Sequence, residues 1–364
     1  TTYTLESVAL LINPYPAQMI PPSVANPKIH PGCRIARENL LISKRNPNSR
    51  KRKFHGKIRR VKARYLGLDL GGTNIKYAII ENSGSEWSVI VKDQISTEAE
   101  IGPDHVTNLL AELAKKFGDE VSGVGLAVPG TFDDSAGTIL IFPNLPGPWR
   151  GHQILAPVAN ASGKPTALIN DARAFALAES ILGAARGLRT VACLVLGTGI
   201  GGGIIIDGKV ITGSTGAAGE LGHVIVEPNG NKCGCGSRGC LETTSATVAI
   251  CTNAKSKSPA EAYEKAAAGD TTALEAFKIA GKGLGVAITS IMVTLSPDAF
   301  VIGGGVSQAG EMLNKYIREE VDSRLTIFPP NKVKLIPAEL GVYAGAIGAA
   351  LNGAIAAGVE LVTN

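Results

Sequence analysis

The first 64 residues contain almost no negative charge: only Glu6 and Glu38 of the chain's 31 acidic residues fall there, against fourteen of its 36 lysines and arginines. That segment carries about +12, and the rest, with 22 basic against 29 acidic residues, carries about −7. The net charge of +5 describes neither part, which excludes reading it as an electrostatic footprint for nucleic acid on the globular body. The same segment is short of glycine, with two of 44, holds seven of the 20 prolines, and shows no sustained helical or strand period. It reads as a disordered extension. Its basic run from Arg45 to Arg64 fits a dispensable extension, an organelle-targeting segment or a nucleic-acid-binding arm, and composition does not separate the three.

Cysteine is scarce too. Six residues with no paired spacing make no disulfide framework, and a reducing, cytoplasmic setting is expected. Cys33, Cys193 and Cys251 are isolated, and Cys193, inside an apolar run, is expected as a small buried hydrophobe. The other three crowd together. Between Glu220 and Glu242 lie His223, Cys233, Cys235 and Cys240, and three thiols plus an imidazole are the ligand complement of a closed tetrahedral zinc site. The spacing Cys-x-Cys-x4-Cys is tighter than the usual knuckle, so an exposed loop with stray thiols is the alternative. Glycines 230, 234, 236 and 239 favour a backbone wrapped round an ion through positive φ or close approach.

Charge is also missing from Leu340 to Val359, a run long enough to raise a membrane span. Its alanine and glycine content instead predicts a closely packed helix inside the protein, with no membrane insertion. No glycine-rich turn ends in Gly-Lys-Ser/Thr, which excludes a Walker A loop.

From Tyr65 onward, about 300 residues alternate β-branched runs, glycine turns and alanine-rich helical stretches, enough chain for two α/β lobes. Strands are predicted at 65–70, 75–80, 121–128, 166–169, 190–196, 202–206 and 299–302. Helices are predicted at 105–117, 172–182, 259–269, 271–295 and 308–325. Three glycine turns follow apolar strands: Asp69-Leu70-Gly71-Gly72-Thr73-Asn74-Ile75-Lys76, Leu196-Gly197-Thr198-Gly199-Ile200-Gly201-Gly202-Gly203, and Val301-Ile302-Gly303-Gly304-Gly305. Glycines after a strand let backbone N–H groups approach phosphate; Thr73 adds a hydroxyl, and Asp69 is placed to hold Mg²⁺ through water. Singly each is an ordinary tight turn, whereas together they point to a nucleotide held between two lobes.

Asp69-Leu70-Gly71-Gly72-Thr73, Glu220-Leu221-Gly222-His223, and Cys233-Gly234-Cys235-Gly236-Ser237-Arg238-Gly239-Cys240-Leu241-Glu242 resemble the signature of the ROK family of sugar kinases and repressors over residues 65 to about 358. Pro143-Asn144-Leu145-Pro146-Gly147-Pro148-Trp149 is similar to its bacterial-type glucose kinases. The resemblance implies an α/β, actin-like (ribonuclease H-like) fold. It has a smaller lobe of 65–180 plus 344–364, a larger lobe of 181–343 bearing the zinc loop, and a cleft between them. It implies phosphorylation of a hexose, glucose at its 6-hydroxyl first, by ATP with Mg²⁺. Asp171 would be the general base, and Asn144, Asn170, Asp171, Glu220, His223 and Glu242 would hold the sugar. Asp69, Gly71, Gly72, Thr73, Asn74, Lys76, Gly197, Thr198, Gly199, Gly303, Gly304 and Gly305 would hold the nucleotide. His223, Cys233, Cys235 and Cys240 would hold a structural zinc. Taken without the resemblance, Asp171 reads as a helix cap.

The chain departs from the family's pattern at Pro148, before Trp149, and at Thr243-Thr244-Ser245 after Glu242. An amino-sugar kinase for N-acetylmannosamine or N-acetylglucosamine is the nearest alternative. A sugar-responsive repressor is the next, although seven prolines interrupt the windows in which the extension would form a helix-turn-helix. The family also implies a homodimer.

Overall fold

The computed structural model describes residues 62–361 apart from 85, 143, 144 and 328. The expectation of a disordered extension therefore lies outside the described residues up to position 61. Where the described chain begins, the last basic residues of the run are occupied: Lys62 and Arg64 bond Glu81 at 2.7 and 3.1 Å.

The chain runs β1 (Ala63–Leu70), β2 (Asn74–Asn82), β3 (Trp87–Ser96), α1 (Pro103–Phe117), β4 (Gly123–Val128), β5 (Thr131–Asp133), β6 (Thr138–Ile141), α2 (Leu155–Ser162), β7 (Thr166–Asn170) and α3 (Asp171–Ile181). It continues with β8 (Thr190–Leu196), β9 (Ile200–Ile206), β10 (Lys209–Val210), α4 (Glu242–Ser245), α5 (Thr247–Asn253), α6 (Pro259–Ala267), α7 (Thr271–Leu295), β11 (Ala299–Gly303), α8 (Glu311–Arg324), β12 (Leu335–Pro337) and α9 (Ala344–Ala356).

Two five-stranded sheets result, ordered β3-β2-β1-β4-β7 and β10-β9-β8-β11-β12, beside the small β5-β6 hairpin. They repeat one plan. In each, three strands form an antiparallel meander and two more add in parallel. Each plan ends with a helix: α3 follows β7, and α9 follows β12 at a short distance. This is the actin-like architecture that the motifs implied.

Side-chain alternation along the strands sets the layers, because successive residues face opposite sides. In β1, Leu66, Leu68 and Leu70 pack outward with Val106, Leu110 and Ala114 of α1. In β8, Ala192, Leu194 and Leu196 pack outward with Phe277, Leu284 and Ile288 of α7, while Val191 and Cys193 turn inward onto an alanine-rich layer built by α3 and α9. Cys193 is fully buried, as its apolar run predicted.

Small side chains make that inner layer possible. A Cβ on Gly67 or Gly125 would overlap the backbone carbonyl of Ala346 or Ala349 in α9, and one on Gly348 would overlap the carbonyl of Ala174 in α3. The uncharged run at 340–359 thus contains the 13-residue helix α9, largely buried and lying directly on the sheet. Among the described residues, the helix long and apolar enough to cross a membrane is α7, and 61% of its most apolar window is buried in the core.

Several expectations are corrected. Helix 308–325 begins only at Glu311, because Gly310 takes a left-handed φ of 52° after a 3-10 turn over Gly305–Ala309. The strand expected at 202–206 is β9 and starts earlier, at Ile200, so the glycine turn read over 197–203 shortens to Gly197–Gly199. The strand predicted from 121 starts at Gly123. Strand β3 escaped the sequence reading because it is largely solvent-facing, and β5, β6, β12, α2 and α5 are too short to show a period.

Gly125→Ala is expected to destabilise the protein by on the order of 3 kcal/mol or more, since backbone rather than a flexible side chain must move. Gly305→Ala, with nothing within 4 Å, should leave the melting temperature near wild type. Thermal melts of the two variants check this, and equal Tm values would contradict the packing.

Candidate active site

Strand β7 passes directly into α3, so the residues at that junction are presented at a helix N-terminus. The cap is Asn170: its Oδ1 accepts from the N–H groups of Ala172 and Arg173 at 3.1 and 3.2 Å, and its Nδ2 donates to the Gly130 carbonyl at 3.2 Å. Asp171 is therefore released from the capping role that local sequence alone assigns it. Its Oδ1 accepts from the Ala172 N–H at 2.8 Å. Burial pushes its carboxyl up to about 6, with the Glu220 carboxylate adding to the rise against the pull of the Ala172 N–H.

A second carboxylate lies close by. Asp69, near the end of β1, sits against Gly345 at the start of α9. Burial first, then repulsion from Asp171, push it up to about 7, while Lys76, its cross-strand partner, pulls the other way. Two desolvated carboxylates that sense each other mark a site built for charge rather than for stability.

The segment from Gly219 to His223 is seated by close contact with β9. A Cβ on Gly202 would overlap the Gly219 carbonyl, and one on Gly222 would overlap the Ile200 carbonyl. Gly201 in turn abuts Ala172, which brings the start of β9 against α3 beside Asp171. Glu220 is held by Arg173, whose Nη2 donates to its Oε1 at 3.3 Å and to the Gly216 carbonyl at 2.5 Å. The sequence reading gave Arg173 no role, and only its burial beside an acidic site reveals one. Glu242 closes the other side: its Oε2 accepts the Ile200 N–H at 2.9 Å, and its Oε1 accepts from the Cys233 thiol at 3.8 Å.

His223, Cys233, Cys235 and Cys240 meet, with ligand atoms all within 4.8 Å of one another. The Cys235–Cys240 sulfurs are 3.7 Å apart, and His223 Nδ1 is 3.6 Å from Cys233 Sγ. A tetrahedron with legs of roughly 2.3 Å to sulfur and 2.0–2.1 Å to nitrogen has edges of roughly 3.8 and 3.6 Å, so these two donor pairs sit at zinc spacing. Nδ1 faces the cluster, which leaves Nε2 as the outward nitrogen. Burial pushes the Cys240 thiol up to about 12, whereas the Ser237 backbone N–H draws the Cys235 thiol below its ordinary value. Of the four loop glycines, Gly236 and Gly239 have φ of 94° and 70°, and Gly230 packs on Glu227. Gly234 faces open space and does not need to be glycine.

Gly71 to Thr73 form the β1–β2 turn, with Gly71 N–H bonded to the Asn74 carbonyl at 3.1 Å, and Thr97 ties it down through its Oγ1 and N–H. Gly197 to Thr198 and Gly199 form the topologically equivalent β8–β9 turn, its Gly197 carbonyl accepting the Thr247 N–H at 2.9 Å. Gly304, with φ of 89°, packs on the Leu196 backbone, so the second and third glycine turns are adjacent, flanked by Gly303 and Gly305. Asn144 lies outside the described residues. Its neighbour Trp149 is buried, donating Nε1–H to the Pro146 carbonyl at 2.9 Å and packing on Phe142.

A cavity of about 970 Å³ opens beside these groups. Asn170, Arg173 and Glu220 are on its wall, which continues between β7 and β10 to Ile355 and Leu361; Asp69, Asp171, His223 and Glu242 are not. The cavity therefore adjoins the carboxylate pair rather than enclosing it.

A desolvated carboxylate pair between two repeats of one sheet plan, with glycine turns at corresponding strand ends, defines an actin-like α/β protein with a cleft site. The ROK family model matches residues 65–352, and the chain belongs to the ROK family. It is 34% identical over 310 residues to the glucokinase of Thermotoga maritima, covering 79% of this chain and 96% of that protein. It is 31% identical to an N-acetylmannosamine kinase of Haemophilus influenzae, over 79% and 94% of the two chains. Identity to the xylose repressor of Bacillus subtilis is 29%, over 78% and 75%. Among solved structures, the ROK hexokinase of Thermus thermophilus superposes with a TM-score of 0.71 at 34% identity, covering 80% of this chain and 98% of that one. The ROK family glucokinase of Streptomyces griseus, in complex with glucose and AMPPNP, superposes with a TM-score of 0.67 at 29% identity, over 80% and 100%.

Because the folded protein holds the Asp69 proton more tightly than the unfolded chain, the associated stability is full below about pH 4. It is lost as pH rises through about 7. Asp69→Asn is expected to stabilise the ligand-free protein at pH 8 by on the order of 1–4 kcal/mol and to give no such gain at pH 4. Denaturant titrations at both pH values check this; a gain independent of pH would contradict it.

Proposed function

We propose that this protein phosphorylates a hexose with ATP, glucose at its 6-hydroxyl being the preferred acceptor. The observation that carries the reading is Asp171: a carboxylate freed from capping by Asn170 and raised to about 6 by burial. A sugar alcohol is a poor nucleophile near neutral pH, and a carboxylate in this range accepts its proton as the O–P bond forms. Asn144, Asn170, Glu220, His223 and Glu242 hold the sugar hydroxyls, with His223 Nε2 facing the sugar.

The turns at Gly71–Thr73, Gly197–Gly199 and Gly303–Gly305 hold the nucleotide through backbone N–H groups, aided by Asn74 and Lys76. Mg²⁺ bound with ATP would neutralise phosphate charge, and Asp69 is the side chain to orient it. The lobe of 65–180 with 344–364 and the lobe of 181–343 act as jaws whose closure excludes water.

The cysteine cluster fits zinc in number, chemistry and spacing. Four protein donors leave no open position, so the ion would be structural. Its Cys233 neighbour touches Glu242, and Glu242 bonds the Ile200 N–H, so the loop braces the sugar-binding carboxylate. The 31% identity to an N-acetylmannosamine kinase supports an amino sugar as the second acceptor class.

ADP release by the full chain with Mg-ATP is measured against glucose, mannose, fructose, N-acetylglucosamine and N-acetylmannosamine. Glucose should give the highest kcat/KM; silence with every sugar would overturn the reading. Asp171→Asn should keep sugar binding and lower kcat by about 10²–10⁴. In wild type, kcat/KM should fall as pH drops through about 6, because the base must be ionised. Cys235→Ser should lose bound zinc, read by metal analysis, together with sugar affinity; unchanged kinetics in the zinc-free variant would break that link.

A further inference from the structure

We propose that Arg173 is a positioning residue for the sugar site: its guanidinium fixes the Gly216–Glu220 segment to α3 beside Asp171 and balances the carboxylates gathered there. The proposal rests on the sugar-kinase reading above.

Arg173 is 7% exposed and lies two residues from Asp171, on the first turn of α3. An arginine is always charged, and burying it is costly unless a carboxylate or carbonyls face it. Here both side-chain hydrogen bonds found among the described residues go to one short segment, to the Gly216 carbonyl at its start and to Glu220 Oε1 at its end. Its Nε is buried with no partner. The side chain is therefore placed to hold that segment rather than to complete a network of its own.

The downstream end of the segment is already fixed on β9 through Gly219, Leu221 and Gly222. Arg173 adds the tie to α3, which sets the distance between Glu220 and Asp171. It also sits near Asp134, whose carboxyl is raised by burial and pulled back by this guanidinium. Two carboxylates, Glu220 and Asp134, thus share one buried cation. A neutral side chain at 173 would let Glu220 swing away from its neighbour Asp171, and small misplacements of a substrate-holding group weaken binding strongly.

Kinetics of the full chain test this with Arg173→Met, Arg173→Lys, Glu220→Gln and Arg173→Met/Glu220→Gln. Wild-type turnover is measured first, and absence of ADP release with any sugar would overturn the kinase reading and this proposal with it. Given turnover, Arg173→Met should raise the sugar KM by about tenfold or more and leave the ATP KM within about twofold. Arg173→Lys should recover the sugar KM to within about threefold of wild type, because it keeps the charge but not the fork. The double variant should be no worse than the poorer single one, since both act through one contact.

A parallel rise in both KM values, a lysine variant as impaired as methionine, or additive effects would overturn the role of Arg173 while leaving the kinase reading intact. Should Arg173→Met not fold, the cycle is run with Arg173→Lys and Glu220→Gln. A sugar-KM increase from lysine that disappears in the Glu220→Gln background supports the proposal, and the same increase in both backgrounds overturns it.

Discussion

The close seating of α3 and α9 between the two sheets is the constraint on which the rest of this structure depends. Both helices follow the last parallel strands of equivalent sheets, and they meet where Gly348 leaves no room for a Cβ against the Ala174 carbonyl. Gly67 and Gly125 let α9 lie on β1 and β4, while Gly201 and Gly203 let β9 lie on α3. Alanine and glycine make this layer thin, and thinness brings the N-termini of both helices to the same site. Asp171 opens α3 and Asp69 rests against the first turn of α9 for that reason.

Placing carboxylates there has an electrostatic consequence. Burial raises both Asp69 and Asp171; the Asp171 carboxylate raises Asp69 further, and the Glu220 carboxylate raises Asp171 further. Among the described residues, the counter-charges are Lys76 opposite Asp69 and Arg173 between Glu220 and Asp134. A ligand-free site with excess negative charge and raised pKa values is poised to accept a proton and to gain from an added cation.

The cysteine loop is tied into the same framework rather than appended to it. Ile225 pairs with Cys240 and Leu241 N–H bonds the Val224 carbonyl, so the loop closes directly onto the segment carrying Glu220 and His223. Glu242 then joins it to β9 through the Ile200 N–H. The thiol cluster is thereby linked, through backbone pairing and the Glu242 carboxylate, to the segments that carry Glu220 and Glu242.

Much of this was legible in the chain itself. Strong apolar runs located β1, β2, β4, β7, β8 and β11, long periodic stretches located α1, α3, α6 and α7, and the cysteine spacing announced the cluster, because each of these signals is local in sequence. The solvent-facing β3 and the short α5 left no comparable trace. Asn170 and Asp171 are both good capping residues, and only the contacts at the end of β7 decide that Asn170 caps while Asp171 is freed. The strand read from Gly202 begins two residues earlier, at Ile200, and the small size of Gly201 to Gly203 serves α3 and Leu221 across the sheet. Arg173 carried no signal at all, since the role of a buried cation depends on which carboxylates long-range packing brings to it. The sequence by itself determined the strongly patterned elements, the family and the Cys/His cluster; tertiary structure alone decided which polar groups lose water and face one another, and the shifted carboxylates follow from that.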